Sequence, residues 1–278
     1  MTEDYSNNYM ICDYCPHHCR INSENHGLCG TKEAGTSIKT LSYGQITSVA
    51  LDPIEKKPLA RYMPGSKILS IGSWGCNMSC PWCQNDSISR GPADYYELSP
   101  NDIVIEAQRQ IPKGNIGIAY TYNEMMTCFD FVYDTSVLAR GEGLKNVLVT
   151  NGMIEDKYLS VILPYIDAYN IDLKTIDEEK YRQIGGDLRT VLNTIEKANK
   201  VAHVEVTTLI VPGFNDTEEE MNRLSKAVAD IDKNITLHVT RFFPAGKCRD
   251  MMPTDVNCVY RMKEIAKTNL EYVYTGNC

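Results

Sequence analysis

The sequence predicts an α/β protein with a parallel sheet and a small cysteine-rich module ahead of it. Three observations lead to this expectation. The chain has 278 residues, which suits one large domain or a barrel with a small appendage. Strand-like and helix-like segments alternate after residue 67, as in right-handed βαβ units. The first 35 residues are instead rich in Cys, His and Gly and show neither a helical nor a strand period.

The alternating segments carry their own start and stop signals. The apolar run at 67–72 is predicted as the first parallel strand. Ser99 and Pro100 are predicted to open a helix that runs through Gln110, because Ser is a good N-cap and Pro suits the first turn. Further strands are predicted at 115–122, 146–152, 168–174, 203–211, 236–243 and 272–276, and further helices at 127–140, 156–166, 177–200, 217–231 (capped by Asp216) and 254–270.

Residues 36–66 separate the cysteine-rich module (1–35) from the alternating part (67–278). Residues 37–51 alternate with period two around Tyr43 and Gly44, which predicts a β-hairpin. The following DPIEKKPL is predicted to be a loop.

Composition excludes several classes of protein. A net charge of −8 argues against nucleic-acid binding, since a phosphate backbone binds a basic face. The N-terminus lacks a signal peptide and no apolar run approaches a membrane span, so we expect a cytoplasmic protein without a membrane partner. The 11 cysteines are then expected to be reduced, and those that cluster are expected to bind metal.

The central cysteine group has the spacing C-x3-C-x2-C, formed by Cys76, Cys80 and Cys83. Fully ligated iron–sulfur clusters normally use four cysteines, so three thiolates on one loop leave one iron of a [4Fe–4S] cluster open. The alternatives are a zinc knuckle or three buried thiols. Zinc would need a fourth ligand nearby, and His is absent from residues 27–202.

This motif, with Trp82 before the last cysteine, resembles the signature of the radical S-adenosylmethionine (SAM) superfamily. The segments IGSWGCNMSCPWCQN, TYNE, VTNG, NIDLK and EVTTLIVPGFND resemble one branch in particular, the AmmeMemoRadiSam-system enzymes and the pyruvate-formate-lyase-activating-enzyme-like proteins. The resemblance extends from about Cys12 to Gly276.

The resemblance implies a partial (β/α)6 barrel over 67–278. It also implies a [4Fe–4S] cluster that binds SAM at its open iron and reduces it to methionine and a 5′-deoxyadenosyl radical, which abstracts hydrogen from an unidentified substrate. An electron donor such as flavodoxin or ferredoxin and an anaerobic setting are expected by analogy. One alternative is an activating enzyme that acts on a protein glycine. Another is a non-catalytic iron–sulfur or zinc protein, which would not need the TYNE and NIDLK segments.

Two SAM-binding positions are carried over by motif. Tyr122, Asn123 and Glu124 stand where the family has a Gly-Gly-Glu-like motif, and the Glu124 carboxylate is expected to accept hydrogen bonds from the SAM amino group. Strand alternation places Asp172 and Lys174 on one face, with Lys174 expected to bind the SAM carboxylate. The alternatives are a surface acid at position 124 and a mutual salt bridge between the other two.

Five further residues are expected near SAM. Thr150 and Asn151 follow a strand, and Asn151 is expected to contact ribose hydroxyls unless it only forms a turn before Gly. Trp82 is expected to contact the adenine, or else to pack in the core. His238 and Arg241 lie on the same strand and are expected to reach SAM or substrate; the alternatives are a core histidine and a solvated or salt-bridged arginine.

The N-terminal group consists of Cys12, Cys15, Cys19 and Cys29. Four thiols within eighteen residues predict one metal site separate from the SAM cluster. Their spacing matches neither a plain zinc ribbon nor a ferredoxin motif, and thiolates suit both zinc and an iron–sulfur cluster. The type of metal is therefore left open.

Overall fold

The computed structural model describes residues 9–278. The strands, in chain order, are β1 (Met10–Ile11), β2 (Arg20–Ile21), β3 (Lys32–Ala34), β4 (Ile38–Thr40), β5 (Gln45–Ile46), β6 (Ser48–Pro53), β7 (Lys67–Gly72), β8 (Tyr96–Glu97), β9 (Asn115–Tyr120), β10 (Lys145–Thr150), β11 (Ala168–Asp172), β12 (His203–Ile210), β13 (Thr236–Arg241) and β14 (Val273–Gly276). The helices are α1 (Asp86–Ser89), α2 (Pro100–Arg109), α3 (Phe129–Gly141), α4 (Asp156–Ile162), α5 (Glu178–Gln183), α6 (Leu188–Asn199), α7 (Glu218–Asp232) and α8 (Val256–Ala266).

One eight-stranded sheet organises the molecule, in the order β14-β13-β12-β11-β10-β9-β7-β6. Seven of these strands are parallel, and β6 is antiparallel to β7. The predicted α/β fold, a partial barrel of parallel strands with a small cysteine-rich N-terminal region, is confirmed. The short last strand adds a seventh parallel strand to the six of the expected barrel.

The local signals succeed at one helix start and fail at another. Ser99 caps α2 with a complete capping box, since its Oγ accepts from the Asp102 amide and the Asp102 carboxylate accepts from the Ser99 amide. Helix α7 is capped by Thr217, whose side chain accepts from the Glu220 amide, and not by Asp216. Asp and Thr are both good N-caps, so sequence alone does not choose between neighbours.

The predicted hairpin over 37–51 is wrong. Its first arm, β4, pairs with β3, while Gln45–Ile46 pairs with β8 and β6 extends the main sheet beside β7. The first arm therefore forms a hairpin with the strand just before it, while β6 gains a place in the main sheet, where it pairs over six residues. The segment that links module and barrel thus contributes an edge strand to the main sheet.

The sheet has apolar contacts on both faces. The outer face packs against the helices and forms the larger core. The inner face encloses a smaller apolar layer made of Ile54, Leu59, Ile68, Ala119, Val147 and Ala168. Ile54 and Leu59 come from the connection between β6 and β7, so residues 54–61, the floor segment, enter the barrel interior. Within residues 9–278, no helix is long and apolar enough to cross a membrane.

Candidate functional site

A cavity of about 800 Å³ opens at the carboxyl ends of the parallel strands. Most of the residues predicted for the site line it: Cys76, Cys80, Cys83, Trp82, Tyr122, Asn123, Glu124, Thr150, Asn151, Asp172, Lys174 and His238. Because parallel strands end at the same edge of the sheet, residues spread over more than 160 positions of the chain meet here.

The loop with the three cysteines is fixed from several sides. Arg90 donates to the carbonyl oxygens of Met78 and Cys80, both at 3.1 Å. Gly75 has φ of +93°, and a Cβ there would lie 2.2 Å from the Thr31 side chain. Only glycine fits this position without displacing the N-terminal module. The loop is therefore shaped by the fold before any cofactor binds.

The three thiols suit a cluster better than a single ion. All 11 cysteines are free of disulfides. Burial raises the pKa of Cys76 to about 12, and burial also raises the pKa of Cys80. Only a bound metal would make such thiols thiolates at neutral pH. Within residues 9–278, no three His, Cys, Asp or Glu side chains are close enough to hold one metal ion. Three separated thiols around one cavity match a cube with an iron for each.

Glu124 lies at the centre of a buried hydrogen-bond network. Its carboxylate accepts from the Thr150 hydroxyl at 2.9 Å, the Asn151 amide at 2.7 Å and the Met126 amide at 3.2 Å. Burial outweighs these bonds and raises the pKa of Glu124 to about 7. A carboxylate held in this way gains from a cationic neighbour such as an ammonium group.

Tyr122 has a left-handed backbone conformation, which glycine adopts most readily. Tyr122 has φ of +72°, in the left-handed region that a bulky residue adopts only under constraint. Its hydroxyl donates to Asp52 at 2.8 Å, which holds it there. The Asn123 side chain accepts from the Ser73 amide and donates to the Gly75 carbonyl oxygen, so it ties this motif to the cysteine loop.

Asp172 and Lys174 face the same cavity and form a salt bridge of 2.7 Å. Burial alone would lower the pKa of Lys174, but the Asp172 carboxylate raises it above the usual lysine value. Lys174 is therefore a fixed cation beside Cys80. The alternative of a mutual salt bridge is the observed contact, and it leaves Lys174 free to bind a second carboxylate.

The other predicted residues differ in whether their side chains already have hydrogen-bond or packing partners. The Asn151 side chain is occupied, since it donates to Asn77 at 2.8 Å and accepts from the Met153 amide. Trp82 packs on Phe214 with ring centres 4.6 Å apart, and it still lines the cavity. His238 holds Glu205 through Nε2, at 2.6 Å.

Arg241 does not line the cavity. Its Nε donates to the carbonyl oxygen of Thr254 at 2.7 Å, and its guanidinium lies over the Phe243 ring. His238 and Arg241 are an odd number of residues apart, so strand alternation puts them on opposite faces of the sheet. The period-two rule, applied to this strand, would have favoured Thr240 instead, which does line the cavity.

Sequence reasoning also missed Lys57 and Tyr274, which line the cavity. Lys57 is buried and pairs with Asp52 at 2.9 Å. No motif points to it, because it lies in an irregular connection. Tyr274 shares the inward-facing register of β14 with Gly276, and its position opposite His238 follows from the pairing of β13 and β14.

The four N-terminal cysteines surround a small enclosed cavity of about 20 Å³. Burial raises the pKa of Cys12, and it raises the pKa of Cys15 to about 12. Cys12 and Cys19 are joined by a backbone hydrogen bond of 2.9 Å. His17 approaches the carbonyl oxygen of Asn77 through Nε2, at 2.7 Å, so this module contacts the residue next to Cys76.

A buried lysine accompanies these cysteines. Lys32 is 1% exposed, donates to the Thr40 hydroxyl at 2.8 Å and lies over the Tyr14 ring at 3.3 Å. Within the described part of the chain it makes no salt bridge with a carboxylate, and burial lowers its pKa. A buried cation of this kind is costly unless negative charge is nearby.

Comparison with known protein families agrees with the geometry of this site. The family model described as the radical SAM superfamily matches residues 71–227, more than half of the chain. The chain belongs to the radical SAM superfamily. It is therefore an enzyme family member for which a [4Fe–4S] cluster and SAM are the implied cofactors, and the donors described above fit both.

Two relatives show how the chain is related to other members of the superfamily. The chain is 38% identical over 283 residues to the uncharacterized protein MJ0808 of Methanocaldococcus jannaschii, covering 99% of this chain and 83% of that protein. It is 24% identical over 194 residues to the pyruvate formate-lyase 1-activating enzyme of Escherichia coli K12, covering 66% and 77%. This supports a relationship to activating enzymes. The AmmeMemoRadiSam resemblance stays a prediction.

Solved structures support the fold. Streptococcus suis SuiB bound to S-adenosylmethionine has a TM-score of 0.59 at 15% identity, covering 73% of this chain and 48% of that chain. TYW1 with a lysine-pyruvate adduct bound has a TM-score of 0.51 at 15% identity, covering 72% and 74%. At such identities the likeness concerns the barrel alone.

Proposed function

We propose that this radical SAM enzyme uses a cluster on Cys76, Cys80 and Cys83 to split SAM and to abstract a hydrogen atom from a substrate. The observation that carries the proposal is the single cavity that joins these thiols to Glu124 and Lys174. When bound, the reduced cluster supplies one electron that breaks the S–C5′ bond, releases methionine and lets C5′ take a hydrogen atom from a substrate C–H bond.

In this scheme, the residues of the chain bind and orient SAM. The Glu124 carboxylate accepts from the SAM ammonium, which favours its ionised form. Lys174 meets the SAM carboxylate as a point charge. Trp82 borders the adenine region, while Thr150 and Asn151 keep Glu124 in position. Buried side chains around the cavity exclude water from a reactive intermediate.

The test is the formation of 5′-deoxyadenosine. Reconstituted protein, SAM and dithionite are expected to produce 5′-deoxyadenosine and methionine in equal amounts under anaerobic conditions. The matched control is the Cys83→Ala variant, which is expected to produce neither. Normal SAM cleavage by Cys83→Ala, or none by the unaltered protein with a full iron content, would contradict the proposal. The second outcome would favour a non-catalytic iron–sulfur protein.

An activating enzyme for a glycyl-radical protein is the second candidate. The similarity to the pyruvate formate-lyase 1-activating enzyme of E. coli favours it. In that case, incubation with a candidate glycyl-radical protein would produce a protein-based radical signal in electron spin resonance. For either candidate, flavodoxin or ferredoxin is the proposed physiological electron donor, testable by replacing dithionite.

A second metal site is proposed at Cys12, Cys15, Cys19 and Cys29. Lys32 supports it, because four thiolates around a metal would add to the negative charge that Asp130 supplies near this buried cation. The type of metal stays open, because thiolates suit both zinc and an iron–sulfur cluster.

The metal can be identified after the SAM cluster is removed. If the site holds an iron–sulfur cluster, a variant with Cys76, Cys80 and Cys83 all changed to Ala is expected to retain iron and to show an electron spin resonance signal on reduction. About one zinc and no iron would identify a zinc site instead. A variant with neither metal would show that the four N-terminal cysteines are ordinary thiols, while the SAM proposal would stand.

A further inference from the structure

Asn77 lies between the two groups of cysteines. It follows Cys76 directly in the chain, and it is buried, with 5% of its surface exposed. It also lines the small cavity that the four N-terminal cysteines surround. A change at one group of thiols can therefore reach the other group through a single residue.

On the N-terminal side, Asn77 contacts one of the cysteines and a residue that lies between two of them. Nε2 of His17 donates to the Asn77 carbonyl oxygen at 2.7 Å, since a carbonyl oxygen can only accept. Burial raises the pKa of Cys15 to about 12, and a hydrogen bond with the Asn77 side chain acts in the opposite direction. Hydrogen bonds to a charged acceptor are about twice as strong as neutral ones, so this bond strengthens when Cys15 becomes a thiolate.

On the other side, the contacts of Asn77 lead to the SAM site. The Oδ1 atom of Asn77 accepts from Nδ2 of Asn151 at 2.8 Å. The same nitrogen lies 3.7 Å from Sγ of Cys76, within hydrogen-bonding distance of a sulfur atom. The backbone amide of Asn151 donates to the Glu124 carboxylate at 2.7 Å. A continuous series of hydrogen bonds therefore leads from Cys15 through two asparagines to Cys76, and each bond polarises the next.

The N-terminal module also packs against the residue before Cys76. A Cβ atom at Gly75 would lie 2.2 Å from Cγ2 of Thr31 and 2.9 Å from the Cys29 carbonyl oxygen. The Sγ atom of Cys29 lies 3.2 Å from Oγ1 of Thr31. Both chain neighbours of Cys76, Gly75 and Asn77, are therefore in contact with the segments that carry the N-terminal cysteines.

Metal binding at the N-terminal group would change its charge. Neutral buried thiols become thiolates, and four thiolates around a divalent ion or a [4Fe–4S]²⁺ core leave about two net negative charges. The potential of an iron–sulfur cluster depends on the net charge and on hydrogen bonds to its sulfurs. Added negative charge disfavours the uptake of an electron, so it lowers the reduction potential of a nearby cluster.

We propose that Asn77 is a positioning residue that couples the two sites, so that metal on the four N-terminal thiols lowers the reduction potential of the SAM cluster. The inference rests on the proposed function and adds its regulation, and it applies to zinc and to an iron–sulfur cluster alike. A cluster with a lower potential accepts an electron from the flavodoxin or ferredoxin donor less readily and passes it to SAM more readily. The metal-loaded module therefore favours SAM cleavage once the electron has arrived.

A redox titration followed by electron spin resonance measures the potential of the SAM cluster, whose signal is recognised by its change when SAM is added. The titration compares the reconstituted protein with the variant Cys12→Ala/Cys19→Ala, which keeps Cys15 and Asn77. Elemental analysis verifies that this variant has lost the N-terminal metal and kept the iron of the SAM cluster. The emptied site is expected to raise the midpoint potential of the SAM cluster. An unchanged or lower potential would overturn the inference.

A double-mutant cycle tests whether the effect passes through Asn77. In the Asn77→Ala background, emptying the N-terminal site is expected to shift the potential by at most about half as much. Asn85→Ala is the matched control, because Asn85 also lies beside the cysteine loop and donates to the Tyr122 carbonyl oxygen, but does not line the N-terminal cavity. In the Asn85→Ala background the full shift is expected.

The outcomes separate the role of Asn77 from a general effect of charge. An equal shift in the Asn77→Ala background would show that the charge acts through space, and the inference would be wrong. Should Asn77→Ala fail to hold the SAM cluster, His17→Phe removes the donor to the Asn77 carbonyl oxygen and is expected to reduce the shift in the same way. Absence of metal on the N-terminal thiols of the unaltered protein would overturn the inference and leave the SAM proposal standing. Absence of iron on Cys76, Cys80 and Cys83 would overturn both.

Discussion

The two cysteine groups of this protein both consist of thiols, but their surroundings differ. Cys76, Cys80 and Cys83 lie on one loop beside a cavity of about 800 Å³ with carboxylates and a lysine around it. The four N-terminal thiols surround about 20 Å³ and have a buried lysine beside them. Three thiols at an open cavity leave room for an exchangeable ligand, whereas four thiols in a closed one saturate a metal. In the proposed scheme, the surroundings of the two groups, more than the cysteines themselves, distinguish a site for an exchangeable ligand from a site for a permanently bound metal.

The largest effect is expected at the open site, formed by Cys76, Cys80 and Cys83. Cys76→Ala should abolish SAM cleavage and remove the visible absorbance of that cluster, because the cube loses one of only three protein ligands. The metal at the N-terminal site should remain, as measured by elemental analysis. Cys258→Ala is the control, since Cys258 belongs to neither group. Loss of both metals in Cys76→Ala would mean that the sites are one structural unit.

Lys174→Ala tests whether the open site is built for SAM. Loss of a charge-assisted hydrogen bond of about 1.5–3 kcal/mol should weaken SAM binding roughly ten- to hundredfold without loss of iron. Anaerobic calorimetric titration measures the dissociation constant. Lys180→Ala is the control, since Lys180 pairs with Glu220 at 3.2 Å. An unchanged dissociation constant would limit Lys174 to its salt bridge with Asp172.

Glu124 should make the open site sensitive to pH. Burial raises the pKa of Glu124 from 4.5 in the unfolded chain to about 7 in the folded one. The folded state therefore holds the proton more tightly, and stability falls as pH rises from about 4.5 to about 7. Relative to Glu124→Gln, the metal-free protein should lose about 3 kcal/mol of unfolding free energy over this range. Denaturant unfolding at several pH values measures it, and parallel curves would refute the buried-carboxyl account.

The smallest effect is expected at the closed site, formed by the four N-terminal thiols. Lys32→Met removes the buried cation, so metal on the four N-terminal thiols should be lost severalfold faster to a chelator. The experiment uses the background without Cys76, Cys80 and Cys83, so that only this site contributes. Lys39→Met, an exposed lysine on the neighbouring β4, is the control. Equal rates in both variants would show that Lys32 balances no metal-bound charge.

Sequence reasoning succeeded where a pattern was local or where the end of a strand fixed the direction of a side chain. Ser99 and Pro100 opened α2 as predicted, and Glu124 and Lys174 face one cavity because both follow inner-facing strand ends. It failed where several pairings compete for one segment. The Tyr43–Gly44 hairpin did not form, because its first arm pairs with the preceding strand β3 and its second arm, β6, pairs with β7. Arg241 was misplaced because strand alternation was not applied to it.

The sequence by itself determined the chemistry of this protein: the C-x3-C-x2-C loop, the acid and the Asp-x-Lys pair, and the α/β order that brings them to one edge. These follow from residue type, spacing and period, which are properties of short stretches of chain. Only the tertiary structure decided how the cavity is closed. The floor segment crosses between β6 and β14 and is tied to Glu205, about 145 residues away along the chain. Contacts over such separations depend on how the sheet curves, and no local pattern records them.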